Sequence, residues 1–232
     1  MRDHHPIDVE TLLNRVPICD GLEAEELAIL ARGTSKIVAR KNQVIFQRGD
    51  HCSGFYVLVC GRVKLAFTSP QGTEKVVQVI KEGQSFCEAM MFMEAPYVFF
   101  SQAMADSMLL HVSKRSVLEE LGRDHRFVQQ MLGGVATGYH QLMLDLESFT
   151  LHNGAQRIIR YLLGELEEAG ETGESAVIDL DIPKGVIASR LNLTQEHFSR
   201  IPHDLEALRL IQINGRRIVV PSVSALKTYQ GL

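Results

Sequence analysis

Hydrophobic residues change their period twice along this 232-residue chain, and the changes mark three regions. From about 36 to 115, short runs rich in Val, Ile and Phe are cut by glycine turns. Residues 36–40, 44–46, 54–59, 62–68, 75–80 and 109–112 read as strands, punctuated by Arg48-Gly49-Asp50, Cys60-Gly61, Ser69-Pro70-Gln71-Gly72 and Glu82-Gly83. Strands at such regular spacing predict an all-β barrel or roll. Within 62–68 the alternation places Val63, Leu65 and Phe67 on one face. A short polar helix over 23–32, with apolar Leu27, Ile29 and Leu30, precedes the roll.

Near Arg123 the period lengthens. Val128, Leu132, Val135, Tyr139, Leu142, Leu146 and Phe149 recur in alternating steps of four and three, an apolar heptad stripe. Such a stripe predicts a long helix lying against a partner helix, and its length and strict stepping favour a second copy of the chain as that partner. A more mixed stripe, Phe127, Met131, His140, Met143, Leu144 and Glu147, is placed to face the roll. Gly133, Gly134 and Gly138 weaken this helix by roughly 0.8–1 kcal/mol each relative to alanine. Close helix crossing or room for a planar ligand explains them. A further amphipathic helix over 153–170 starts at Asn153, a good N-cap, and stops in the polar loop 169–173; residues 177–182 alternate as a strand.

The next segment carries the most specific pattern. Pro183 suits the first turn of a helix whose buried side is Val186, Ile187, Ala188 and Leu191. Asn192-Leu193 is a tight connection and Thr194 can cap a second helix, in which Phe198, Ile201, Leu205 and Leu208 are spaced to pack inward. Gln195, Glu196, Ser199 and Arg200 are then left outward near its start. This is helix-turn-helix grammar, in which the start of the second helix presents polar groups to base edges in the major groove. Arg200 can donate two hydrogen bonds to guanine O6 and N7, Glu196 can accept from cytosine N4, and Ser199 is short enough to touch a neighbouring base. Glu196 and Arg200 are also i and i+4, so an ion pair between them is an alternative compatible with base contact. Asn214-Gly215, between 210–213 and 216–220, signals a hairpin, and Arg216 and Arg217 make it a basic wing suited to phosphate.

Composition narrows the function. The chain carries 45% hydrophobic and 22% charged residues, an ordinary globular balance. Net charge is −4, so any nucleic-acid contact must come from a local patch; from 184 to 232 there are seven Lys or Arg against three acids. No run reaches the ~18 apolar residues of a membrane span, and the N-terminus has no signal-like apolar core, so a cytoplasmic protein without membrane partners is expected. Cys19, Cys52, Cys60 and Cys87 match no zinc pattern and read as free thiols. No nucleophile–base pair, phosphate loop or metal motif points to an enzyme.

Taken in order, the glycine-punctuated roll, the heptad helix and the winged helix-turn-helix resemble the CRP/FNR family of bacterial transcription regulators over nearly the whole chain. Glu196-x-x-Ser199-Arg200 matches the recognition signature of the FNR-type branch, which implies TTGAT-type half-sites in a palindrome read by a homodimer, with RNA polymerase as a further partner. Phe86-Cys87 and 88–93 resemble the Dnr group, described as haem-dependent nitric oxide sensors, as do 157–163 and 196–201. The resemblance implies an α+β architecture: a β-roll sensor domain like the cyclic-nucleotide-binding jelly roll (1–122), a dimerisation helix (123–152) and a winged helix-turn-helix (153–232).

It also brings departures. Cyclic-AMP-binding members carry an arginine about ten residues beyond the glutamate kept here as Glu88; residues 96–101 hold none, and a buried phosphate without a cation is strongly penalised, so no cyclic nucleotide is expected. Met90, Met91, Phe92, Phe99 and Phe100 would suit an apolar ligand instead, or else simply fill the roll. Haem needs a His, Cys or Met ligand, and His140 is the candidate among nine histidines; an iron-sulfur cluster is not expected, because only Cys19 is N-terminal. A thiol-responsive or ligand-independent regulator, through Cys87 or Cys60, is the competing reading. Pro202 falls inside the recognition helix, where it removes a hydrogen bond and is expected to kink the helix or alter its angle.

Overall fold

The computed structural model describes residues 8–171 and 173–229; His4, His5 and Thr172 lie outside them. The first helices are α1 (Val9–Leu13), a 3-10 turn (Pro17–Cys19) and α2 (Ala24–Arg32). Glu23 and Glu26 close a reciprocal capping box at the start of α2, in the place where the sequence predicts the short helix.

Eight strands follow among the described residues: β1 (Thr34–Ala39), β2 (Val44–Phe46), β3 (Gly54–Cys60), β4 (Val63–Thr68), β5 (Glu74–Ile80), β6 (Ser85–Phe86), then, after helix α3 (Glu88–Met93), β7 (Phe100–Ala103) and β8 (Ser107–Ser113). They form two antiparallel four-stranded sheets, ordered β1-β8-β3-β6 and β2-β7-β4-β5. The roll read from the glycine-punctuated runs is therefore present. β6, β7 and α3 carry no alternation of their own and were not legible.

Between the sheets lies a core that includes Phe55, Val57, Leu58, Val63, Leu65, Ile80, Leu109 and Leu110. Phe67, expected on the same face as Val63 and Leu65, sits at the end of β4, is 39% exposed, and meets Phe99 edge-on at 6.3 Å. The next helix, α4 (Lys114–Leu121), is capped by Ser113, whose hydroxyl accepts from the Ser116 amide.

Helix α5 (His125–Leu151) is the predicted long helix. By its contacts the chain divides within this helix, at His140/Gln141, into two compact units. In the first unit Phe127 and Met131 are fully buried in the roll's core. Along the heptad stripe Leu132, Tyr139, Leu142 and Leu146 are 55–66% exposed, while Val128, Val135 and Phe149 are half-buried. A β-carbon added at Gly133 or Gly138 would meet nothing within 4 Å, so no contact among the described residues requires either glycine.

The second unit contains α6 (Gly154–Glu168), β9 (Ala176–Asp179), α7 (Lys184–Arg190), α8 (Gln195–Ala207), β10 (Gln212–Asn214), β11 (Arg217–Val220) and α9 (Val223–Thr228). Asn153 and Gln156 form a capping box at the start of α6, as the sequence suggested for Asn153. β9, β10 and β11 make one antiparallel sheet in the order β10-β11-β9. The architecture is α+β, with roll, long helix and helix-turn-helix in the predicted order.

Candidate nucleic-acid interface

α7 and α8 are joined by a turn that only a few conformations can make. Asn192 takes a left-handed φ of 56°, and the Leu193 amide returns to the Ala188 carbonyl at 2.9 Å. Thr194 then starts α8, its hydroxyl accepting from the His197 amide at 3.2 Å. The turn is braced from α6: the Arg157 guanidinium donates to the Asn192 carbonyl at 3.2 Å. Gly154 lets α6 come close, since a β-carbon there would stand 2.7 Å from Ile201 Cδ1 and 3.2 Å from Leu193 Cδ2.

This packing decides which way α8 faces. Phe198 (4% exposed), Pro202 and Leu205 (1%) turn inward, and Ile201 is half-buried. Leu208, expected inward with them, is 52% exposed. α8 ends at Ala207, and Arg209 enters the left-handed region at φ 59°, so the chain turns before Leu208 completes the apolar row. Gln195, Glu196, Ser199 and Arg200 are all exposed, and neither Glu196 nor Arg200 has an ion-pair partner among the described residues. The i,i+4 pair that the spacing allowed is not formed. His203 lies one turn further along the same face, a position the sequence reading passed over.

Pro202 does not end the helix. α8 runs continuously from Gln195 to Ala207. The ring, which has no amide hydrogen to give, lies on the inward side, lining a cleft of about 100 Å³ with Phe198, Ile158, Leu162, Ile211 and Ile218.

The wing differs in register from the expectation. Asn214 pairs with Arg217 across the hairpin, so the two loop residues are Gly215 and Arg216, not Asn214 and Gly215. Only Gly215 has a positive φ, 67°, the pattern of a II′-type turn with glycine first. Arg216 is exposed at the tip without an ion-pair partner among the described residues. Arg217 instead sits opposite Asp179 on β9 and donates to its carboxylate at 3.0 and 3.4 Å. That hydrogen-bonded charge holds the Arg217 guanidinium above its usual range, and its charge is largely answered within the sheet. Arg190 is likewise bound, to Asp145 on α5 at 2.6 Å. No spacing rule connects 145 with 190, so that tie was invisible in the sequence.

The expected effector residues do not converge. Glu88 begins α3, Met91 is fully buried and Phe92 is 38% exposed. Burial pushes the Glu88 carboxyl up, against a lowering hydrogen bond from Ser85. Phe99 joins the inner aromatic cluster, 6.2 Å from Phe46, whereas Phe100 lies under the Lys64 ammonium, 5.6 Å away. Phe99 precedes β7 and Phe100 begins it, and the two rings pack in different surroundings, so they do not form one wall. His140 is exposed on α5. The roll interior is occupied by its own rings: Phe46 stacks on Tyr97 at 3.7 Å and Tyr56 on Phe86 at 5.2 Å. As arranged, this donor set does not fit a haem. Cys87 is buried at a left-handed φ of 76°, and burial drives its thiol far above the normal range; Cys60 is exposed.

Comparison with known proteins agrees with this geometry. Residues 36–124 match the cyclic nucleotide-binding domain and residues 156–229 the Crp-like helix-turn-helix domain. The chain is 25% identical over 198 residues to the anaerobic regulatory protein of Pasteurella multocida, covering 83% of this chain and 70% of that protein. It is 30% identical to the sensor domain of the transcriptional regulator DNR from Pseudomonas aeruginosa, covering 58% of this chain and 90% of that domain, with a TM-score of 0.52. FixK2 from Bradyrhizobium japonicum shares the fold at a TM-score of 0.75 and 18% identity, over 86% of this chain and 98% of that one. With both family domains in order around α5, and a capped helix presenting Glu196, Ser199 and Arg200 to the exterior, the chain belongs to the CRP/FNR family of DNA-binding transcription regulators.

Proposed function

We propose that the protein is a cytoplasmic, homodimeric, ligand-gated regulator that reads a TTGAT-like palindrome and acts on RNA polymerase. The observation that carries the reading is the exposed face of α8, with Glu196, Ser199 and Arg200 open to solvent and Arg216 exposed at the wing tip. Arg200 reads guanine through O6 and N7, Glu196 reads cytosine through N4, and Arg216 takes a phosphate. The exposed heptad stripe of α5 supports the homodimer, because a two-fold pair of such helices is what an inverted repeat requires. Gating follows when an effector favours one packing of that seam over another, and so one spacing of the two recognition helices.

Nitric oxide sensed through haem is the effector that the likeness to DNR suggests. Haem would supply an iron centre for the gas. The donors discussed above do not assemble for it in this conformation, so no step of the gating is derived through it. A cyclic nucleotide is not proposed: residues 96–101 offer no arginine, the Glu94 carboxylate is paired with Lys114, and Tyr97 is buried against Phe46. Thiol sensing through Cys87 is disfavoured by its burial, which leaves Cys60 as the one exposed thiol.

A mobility-shift titration of a TTGAT-type palindrome against a scrambled duplex tests the DNA reading. Preference for the palindrome is expected, and equal affinity for the two would refute it. Absorption spectra of the protein mixed with haem, with and without nitric oxide, test the effector separately.

A further inference from the structure

Where α2, α4 and the start of α5 meet, the roll holds a buried carboxyl group that is bound to no donor among the described residues. Glu120, near the end of α4, is 0% exposed, and neither of its carboxyl oxygens has a hydrogen-bond partner among the described residues. The charges around it are already committed. From α5, the Arg126 guanidinium is shared between Asp124, at 3.1 Å, and Glu26 of α2, at 3.5 Å. Arg123 pairs with Glu119 at 3.5 Å. Glu23 caps α2, and His125 is exposed on the first turn of α5. The charged groups acting on Glu120 are therefore three other acids, Glu26, Asp124 and Glu119, and one arginine, Arg123, which Glu119 already holds.

A bare carboxylate in such a place has lost its water and gained neither a donor nor a counter-charge. We propose that Glu120 is a buried proton-binding site, still occupied above the ordinary carboxylate range, and that losing this proton loosens the joint from which α5 begins. Burial first, then the negative field of Glu26, hold its carboxyl above the ordinary range. The location gives the proton leverage. The Arg123 and Asp124 amides bond back to the Glu120 carbonyl at 2.9 and 3.1 Å, and Asp124 in turn accepts from the Arg126 amide at 2.8 Å as α5 starts. Phe127 and Met131, the two side chains that anchor α5 in the roll's core, follow directly. The proposal does not depend on the DNA-binding reading.

The sign follows from the raised carboxyl. In the unfolded chain Glu120 ionises in the usual carboxylate range, while in the folded protein it keeps its proton to higher pH. Stability from this group is thus complete below the usual range and is lost as pH rises toward the folded value. The test is thermal melting of full-length wild type, Glu120→Gln and Glu26→Gln from pH 5 to 8, with infrared spectra of the same samples. Relative to Glu120→Gln, wild type should lose roughly 3–5 °C of melting temperature for each unit by which the folded value is raised. A protonated-carboxyl band that persists in wild type above the ordinary carboxylate range should be missing from Glu120→Gln. In Glu26→Gln the band should titrate at lower pH, which keeps the test open if the first variant does not fold. Parallel melting profiles with no band lost, or a band unmoved by Glu26→Gln, would overturn the proposal.

Discussion

Replacing Leu132 by alanine separates a dimer seam from an ordinary surface. Leu132 lies on the heptad stripe of α5 and is 64% exposed in the single chain. Leu→Ala removes three carbons, worth ~2.4 kcal/mol at ~0.8 kcal/mol each when fully buried. The exposed share of that, about two thirds, is what a partner helix can still bury, or ~1.5 kcal/mol. A two-fold seam contains the residue twice, so the dimer loses ~3 kcal/mol and its dissociation constant rises by about two decades. Sedimentation equilibrium of wild type and variant measures this directly. The melting temperature at protein concentrations low enough that both are dissociated should move far less than in Leu162→Ala. Leu162 is 1% exposed inside the second unit, and its truncation leaves a cavity costing ~2–5 kcal/mol. Unchanged association in Leu132→Ala, or a monomeric wild type, would refute the assignment of this stripe as a self-association surface.

Three further outcomes are expected. Arg200→Ala should weaken the preferred duplex by ~1–3 kcal/mol and relax selectivity at one guanine, as read by competition with single-base variants of the site; a uniform loss on all duplexes would mean that Arg200 touches phosphate instead. Arg216→Ala should lower the slope of log affinity against log salt by about one, and Arg217→Ala by less, because Asp179 already holds that guanidinium; equal effects would contradict the register of the wing. In thiol titration of the native protein Cys60 should react fast and the other three cysteines slowly, since burial pushes Cys19 up to about 12 and Cys87 higher still; fast labelling of Cys87 would show that the base of α3 opens readily.

Strong periodicity was legible in this chain wherever one face of an element meets a single environment. The α5 stripe, the two helices of the helix-turn-helix and the longer strands of the roll all satisfy that condition. Short elements do not. β6 has two residues and α3 six, which is too few to repeat a pattern, and both are set by their neighbours. Phe99 and Phe100 look like one apolar wall in the sequence, yet the strand begins between them and their rings pack against different neighbours. His140 fell in a mixed stripe whose first members, Phe127 and Met131, are buried; two turns later the helix is exposed, and so is the histidine.

The amino-acid sequence alone determined the order of the domains, the caps that start α6 and α8, and which recognition side chains are polar, because these rest on contacts within a few residues. Tertiary structure decided which of the basic residues remain free for a partner. Arg217 is answered by Asp179 and Arg190 by Asp145, whereas Arg200 and Arg216 are not, and those pairings join residues 38 and 45 positions apart. It likewise decided that Glu120 lies in the dark among other acids. Charge compensation and desolvation act through space at a few ångströms, and distance along the chain does not report distance through space.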